Sequence, residues 1–166
     1  MDHPTITTSI IHFLRSIGIE VREKRLWRKT ILPGIKIDHG ALIVDRRKLA
    51  YPGDLLHEAG HLAVAPPSRR SLLHVTTGND AAEEMMALAW SYAAAVHLRL
   101  DPAIVFHSGG YKGQSDALMK SFMQGTGVGV PTLQWIGLTA YGDRAKELAI
   151  EPFPHMIRWL REIETP

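Results

Sequence analysis

One stretch decides the fold and the chemistry of this 166-residue chain: Gly53-Asp54-Leu55-Leu56-His57-Glu58-Ala59-Gly60-His61-Leu62. It contains the spacing His57-Glu58-x-x-His61, and positions four apart lie on one face of an α-helix. Both imidazoles can therefore reach one metal ion from a rigid backbone. Glu58 is turned about 100° from His57 around the helix axis, so it lies near the ion without having to bind it.

The residues around the motif predict a helix from Leu55 to Ala65. Apolar side chains give this helix one buried face, and Pro66-Pro67 ends it. Nine His and nine Glu in a chain of this length give roughly 0.03 accidental matches to the motif. Gly60 costs ~1 kcal/mol relative to Ala inside a helix. We therefore expect another backbone or a substrate to approach the helix at that position.

A third metal ligand has to come from elsewhere in the chain, because catalytic zinc sites commonly have three protein ligands and one open position. The chain has no cysteine, so the ligand must be a carboxylate or another histidine. The predicted long helix from Ala81 to Leu100 begins with Glu83 and Glu84. Asp80 and Glu83 have capping-box spacing, which predicts a structural role for Glu83. Glu84 begins a stripe of small and polar side chains, and we choose it over Glu83. The alternative is that both are solvated first-turn acids.

The rest of the sequence predicts a single α+β domain over residues 1–166, with helix in excess. Apolar spacing predicts a first helix over 6–19. The β-branched runs on either side of Asp38-His39-Gly40 predict a hairpin. A short strand is expected over 72–75. Weaker helical patterns make the C-terminal part helix-rich, and they cover residues 115–124, 131–140 and 154–163.

Composition and charge bear on partners and on location. The formal net charge is only +2, which by itself indicates neither a nucleic-acid nor a membrane partner. The N-terminus has no basic run followed by an apolar stretch, so we expect a cytoplasmic protein. The basic segment from Arg22 to Lys29 is interpreted as a solvated surface whose Trp27 is anchored in the core. The alternative for this segment is a nucleic-acid site with Trp27 stacked on a base.

The motif with its flanking residues, followed by an acidic, alanine-rich helix, resembles the zincin metallopeptidases. More narrowly, residues 35–95 are similar to gluzincins whose third ligand is a downstream glutamate, including the ImmA/IrrE-type family. Residues 90–94 and 105–111 look more like a related bacterial family with the same motif. The resemblance implies a zincin-like fold in which a small hairpin packs on the motif helix and on a second, Glu-bearing helix. It also implies Zn²⁺ held by His57, His61 and Glu84, and a peptide or protein substrate.

The expected function is a zinc-dependent hydrolase, most simply a metalloprotease, with Glu58 as the general base. Such chemistry usually needs a donor for the developing oxyanion. His107 and Tyr111, which flank Gly109-Gly110, are the candidates for that catalytic role. Two alternatives to the enzyme stay open: a non-catalytic metal-binding domain that binds a partner, and a nucleic-acid-associated protein that uses the basic segment.

Overall fold

The structure is a computed structural model that describes residues 3–74, 80–107, 115–124 and 127–164. These residues form a mixed α/β arrangement of the α+β class, as expected. Three strands make one sheet: β1 (Val21–Glu23), β2 (Ile35–Asp38) and β3 (Ala41–Val44). The helices of the described part are α1 (His3–Ser16), α2 (Asp54–Val64), α3 (Pro67–Arg70), α4 (Ala81–His97), α5 (Ser115–Met123), α6 (Val130–Trp135) and α7 (Gly142–Glu147), with a 3₁₀ turn at Pro102–Ile104.

The sheet has the order β1-β3-β2, so β3 lies in its centre and β2 at an edge. The predicted hairpin is confirmed: β2 pairs antiparallel with β3, and Ile35 lies opposite Val44. Its turn residues His39 and Gly40 have φ of 50° and 78°, the left-handed region that tight hairpin turns require. β1 pairs parallel with β3. This strand was not predicted, because it has three residues and only Val21 is buried.

Two helices pack directly against each other behind the sheet. α2 begins at Asp54, ends just before Pro66-Pro67 and lies against α4. The indole of Trp90 is fully buried in α4. The apolar face of α1, which includes Ile10 and Leu14, completes the core. Within the described ranges, no helix combines the length and apolar character needed to cross a membrane.

The C-terminal part is less helical than predicted. The expected helix over 154–163 is wrong, because this segment is irregular and is held to the core by hydrogen bonds. Trp90 Nε1 donates to the carbonyl oxygen of Trp159 at 3.0 Å, and the amide of Arg161 donates to the carbonyl oxygen of Ala63 at 2.9 Å. The helix expected over 131–140 ends at Trp135, and α7 was not predicted. Of the strand expected over 72–75, the described part shows one bridge, between His74 and Asp38.

Candidate metal centre

Both histidines of the motif point to the same place from one face of α2. Their Nε2 atoms lie 3.3 Å apart, and the ring planes are nearly perpendicular at 86°. Glu84 reaches the same point from α4. One carboxylate oxygen lies 3.5 Å from Nε2 of His57, and the other lies 3.3 Å from Nε2 of His61. Two helices therefore bring two imidazole nitrogens and one carboxylate together.

The spacing of these atoms matches the requirement of a zinc ion. Zinc binds nitrogen and carboxylate oxygen at about 2.0–2.1 Å with tetrahedral geometry, which separates neighbouring ligand atoms by about 3.3–3.4 Å. The two Nε2 atoms lie 3.3 Å apart, and they lie 3.5 Å and 3.3 Å from different oxygens of the Glu84 carboxylate. One ligand atom from each of the three residues lies within 4.8 Å of the other two, which is close to this requirement. His61 is 2% exposed and His57 is 13% exposed, while Glu84 keeps 40% of its side chain accessible. The donor set can therefore hold a metal ion of the zinc type, and solvent reaches it on the side of Glu84.

Gly60 explains how α4 comes close enough to contribute Glu84. A Cβ atom at this position would lie 2.8 Å from the carbonyl oxygen of Ala87 and 3.1 Å from its Cα. The expectation that another backbone approaches Gly60 is therefore confirmed. Ala87 and Glu84 are three residues apart on one face of α4. The contact at Gly60 thus brings the Glu84 carboxylate over the histidines.

Glu83 does not complete a capping box. Asp80 caps α4 as predicted, because its carboxylate accepts the amide of Ala82 at 2.9 Å. The Glu83 carboxylate instead is 5% exposed, forms an ion pair with Arg69, and lies 3.5 Å from Nδ1 of His61. Among the described residues, neither Oε1 of Glu83 nor Nδ1 of His61 has a hydrogen-bond partner, so the two buried atoms face each other.

A carboxylate behind a metal-binding imidazole orients the ring and fixes its tautomer. The position of Glu83 corresponds to that role for His61. Sequence reasoning missed it, although one signal was present. Neighbouring residues on a helix differ by about 100°, so if Glu84 faces the front of an imidazole, Glu83 can contact its flank.

The electrostatics of the ligand set favour a metal. Burial, together with the neighbouring His61, lowers the pKa of His57 to about 4, although Glu84 acts in the opposite direction. The contact with His61 lowers the pKa of Glu84, against the effect of burial. At neutral pH this gives a neutral imidazole at His57 and an ionised carboxylate at Glu84. Those are the protonation states that metal ligands need.

Glu58 lies beside the ligands and outside the ligand set. Burial raises the pKa of its carboxyl group, and the nearby Asp54 and Glu84 raise it further, while His61 lowers it. The raised pKa makes Glu58 a stronger base than an exposed glutamate. A partly buried carboxylate with a raised pKa beside the candidate ligands is a candidate general base.

His107 lies next to the start of α2 and is hydrogen-bonded there. Its Nε2 is 2.9 Å from Oδ1 of Asp54, and its ring stacks on Tyr51 with centroids 3.8 Å apart. Burial raises the pKa of Asp54, against the effect of His107. Gly53 permits this arrangement, because a Cβ there would overlap the carbonyl oxygen of Ile104.

The catalytic role of His107 stays a prediction. The group of described ligand atoms that could hold a metal at the motif consists of His57, His61 and Glu84, without His107. Asp54 precedes Glu58 by four residues, so the bonded pair lies one helical turn from the candidate base. Tyr111 and Gly109-Gly110 lie outside the described residues.

A cleft of about 860 Å³ reaches Glu58. β2 and residues 24–32 line it. The interpretation of Trp27 as a core anchor is wrong, because its side chain is 82% exposed. Leu32 packs against the core, while Trp27 stays outside it. The cleft therefore connects the candidate base with the basic segment.

A second group that could hold a metal consists of Asp38, His39 and His74. Nδ1 of His39 and Nδ1 of His74 lie 3.1 Å and 3.0 Å from the same oxygen of Asp38. The side chains of the two histidines are 74% and 43% exposed, and Lys36 Nζ lies 3.4 Å from that oxygen. An exposed cluster with a cation already on its carboxylate is a weaker candidate than the buried one.

The chain was compared with known protein families, with curated proteins and with solved structures, and no match was found. The chemistry of this protein is therefore inferred from its own residues. The residues that matter most are the three candidate ligands, His57, His61 and Glu84, and the candidate base Glu58, which lines the cleft.

Proposed function

We propose that this protein is a zinc-dependent hydrolase of the zincin type, most simply a peptidase. One observation carries the proposal. His57, His61 and Glu84 converge with the spacing of zinc ligands, while Glu58, from the same turn of α2, lies beside them as a base. The hairpin, the motif helix and a second helix with a ligand are the parts expected of a zincin-like fold.

Bound zinc would supply two things, a polarised carbonyl group and a lowered pKa for water. The chain's own part is proton transfer. Glu58 takes a proton from the attacking water, and its raised pKa lets the carboxyl group hold that proton. It then delivers the proton to the leaving amine as the C–N bond breaks. One peptide and one water give one carboxylate and one amine.

The cleft supports a peptide as the substrate. An extended peptide can bind to an exposed strand edge through main-chain hydrogen bonds. β2 is at the edge of the sheet, and its residues Ile35–Asp38 line the same cleft as Glu58. The cleft volume of about 860 Å³ is large enough for several side chains. These features favour an extended chain over a small compact substrate.

A non-catalytic metal-binding domain is the competing function. Metal binding for folding alone would need His57, His61 and Glu84, and it would not need Glu58. A carboxyl group that is buried without being a ligand carries a desolvation cost. Its place beside the ligands is explained by proton transfer, so the enzyme is favoured.

The experiment separates metal binding from catalysis. We expect about one zinc per chain, lost on His61→Ala. Glu58→Gln should keep the zinc and lower the cleavage of a fluorescence-quenched peptide library by at least ~100-fold. Glu147→Gln, at an exposed ion pair on α7, is the matched control and should have no effect. Full peptide cleavage by zinc-loaded Glu58→Gln would contradict the proposed function.

A further inference from the structure

One wall of the cleft carries a concentration of positive charge. Residues 24–31 run along it without regular secondary structure, and their cations all have exposed side chains. β2 adds Lys36 to the same lining. The cations of residues 24–31 are Lys24, Arg25, Arg28 and Lys29.

These four cations differ from most other exposed cations of the described chain, although Lys48, Arg99 and Lys120 also form no ion pair within it. In the described part of the chain, none of the four forms an ion pair. Six other exposed cations each lie within 3.2 Å of a carboxylate, and they are Arg15, Arg22, Arg46, Arg144, Lys146 and Arg158. Four uncompensated charges on one segment give the cleft a positive potential that a negative ligand can use.

The segment is held in place from inside, so the position of its charges is defined. The amide of Leu26 donates to Oδ2 of Asp45 at 3.0 Å, and Asp45 is only 5% exposed. Lys48 Nζ donates to the carbonyl oxygen of Leu26. Thr30 Oγ1 donates to the carbonyl oxygen of Leu32 at 2.6 Å. Hydrogen bonds to Asp45 and Lys48 therefore fix the backbone at Leu26, and Leu32 packs on the core at the other end, while the charged side chains are exposed along the cleft.

Two large apolar side chains accompany the charges. Trp27 is 82% exposed and Ile31 is 80% exposed, the two most exposed of the large apolar residues in the described chain. The guanidinium of Arg25 lies 5.7 Å from the centre of the Trp27 ring. Apolar surface mixed with unpaired charge is typical of a binding surface.

We propose that this cleft selects peptide segments rich in Asp and Glu, with an apolar side chain that packs on Trp27 and Ile31. Acidic side chains would pair with Lys24, Arg25, Arg28 and Lys29 while the scissile bond lies at Glu58. The inference rests on the proposed hydrolase function for the cleavage step. The binding preference itself needs only the cleft.

A peptide fits the cleft better than a nucleic acid does. Single-stranded nucleic acids bind on several aromatic platforms along a continuous positive groove. Within the described lining, Trp27 is the one Phe, Tyr or Trp side chain, and the carboxylates of Asp38 and Glu58 interrupt the positive charge. These carboxylates would repel a continuous phosphate backbone. The acidic side chains of a peptide are separate from one another, so they can pair with the cations of the cleft while the peptide keeps them away from the carboxylates.

The test measures binding and cleavage separately. Labelled peptide pools of one length would each contain Trp and Phe, with Asp and Glu in one pool and Lys and Arg in the other. Binding to zinc-loaded Glu58→Gln is followed by fluorescence anisotropy, and cleavage by the wild type is followed by fluorescence. A labelled single-stranded DNA is the third probe. The cleft variant is Arg28→Glu/Lys29→Glu, and the matched control is Arg99→Glu/Lys120→Glu, which reverses two exposed charges outside the cleft lining.

We expect the acidic pool to bind at least ~10-fold more tightly than the basic pool at low salt, with a smaller difference at high salt. The cleft variant should lose roughly 10-fold in affinity for the acidic pool, and the control should lose none. Selective acidic binding without cleavage by the wild type would support the inference and overturn the proposed function. Cleavage without charge preference, equal losses in both variants, or tighter binding of the DNA would overturn the inference.

Discussion

Gly60→Ala tests whether close packing of two helices builds the metal centre. The added Cβ would lie 2.8 Å from the carbonyl oxygen of Ala87, where ordinary contact begins at 3.4 Å. The α2 and α4 backbones must therefore separate locally by about 0.6 Å, the difference between these distances. Glu84 is on the same helix as Ala87, three residues away, so its carboxylate moves with it. Metal sites tolerate deviations in ligand distance of about 0.2 Å.

Two measurements follow from this displacement. Zinc affinity, from competition with a fluorescent chelator, should fall at least ~10-fold. The free energy of unfolding of metal-free protein, from urea titration, should fall by about 0–2 kcal/mol. Overpacking costs ~1–3 kcal/mol, and the better helix propensity of alanine returns ~1 kcal/mol. The stabilisation by excess zinc should then shrink by ~1.4 kcal/mol for each tenfold loss of affinity.

Ala87→Gly is the control. It places a glycine in α4, which costs ~1 kcal/mol of stability, but it tightens no contact and should leave zinc affinity unchanged. In the double variant with Gly60→Ala, it removes only the 3.2 Å contact between the added Cβ and the Ala87 Cβ. The 2.8 Å contact with the carbonyl oxygen of residue 87 remains, so zinc affinity should recover only in part. The reasoning is refuted if Gly60→Ala binds zinc like the wild type and is more stable by ~1 kcal/mol, as propensity alone predicts.

Two further substitutions test the surroundings of the site. Glu83→Gln should lower zinc affinity by ~10–100-fold without removing a ligand, because a weaker acceptor would then face Nδ1 of His61. Competition with a chelator measures the change, and an unaltered affinity would show that Glu83 does not support the site. Trp159→Ala should lower the free energy of unfolding by ~2–4 kcal/mol in urea titration, since its ring packs on Trp90 at 5.5 Å. Trp135→Ala, at a side chain that is 65% exposed, should change it by less than ~0.5 kcal/mol, and equal losses in both would contradict the packing argument.

The elements that the sequence predicted well are those with a strong local signal. α2 is bounded by Pro66-Pro67, and the hairpin is set by a turn whose residues adopt positive φ. Gly60 could be interpreted in advance, because an unfavourable residue inside a helix needs a reason, and the approach of Ala87 supplies it. In each case a residue type restricts the backbone by itself.

The elements that were missed depend on partners distant in sequence. Residues 154–163 carry a helical apolar pattern, yet Trp159 and Arg161 bond to α4 and α2 instead of forming a helix. The basic segment is held by a hydrogen bond from the backbone amide of Leu26 to Asp45, nineteen residues away, and it does not need the Trp27 side chain as an anchor. The local pattern of apolar residues carries no information on these long-range contacts. It could therefore not show whether residues 154–163 form a helix or whether Trp27 is buried.

The proposed roles of Glu83 and Glu84 differ because the two residues are adjacent on one helix and face different directions. The two side chains are chemically identical, yet Glu83 is 5% exposed and paired with Arg69, while Glu84 is 40% exposed and reaches both imidazoles. A carboxylate that binds a metal ion entering from solvent must be accessible to solvent. A carboxylate that only orients an imidazole can be buried. The step of about 100° between adjacent residues of α4 therefore separates the proposed metal ligand, Glu84, from the proposed positioning residue, Glu83. Because Gly60 sets the distance between α2 and α4, it governs both roles together.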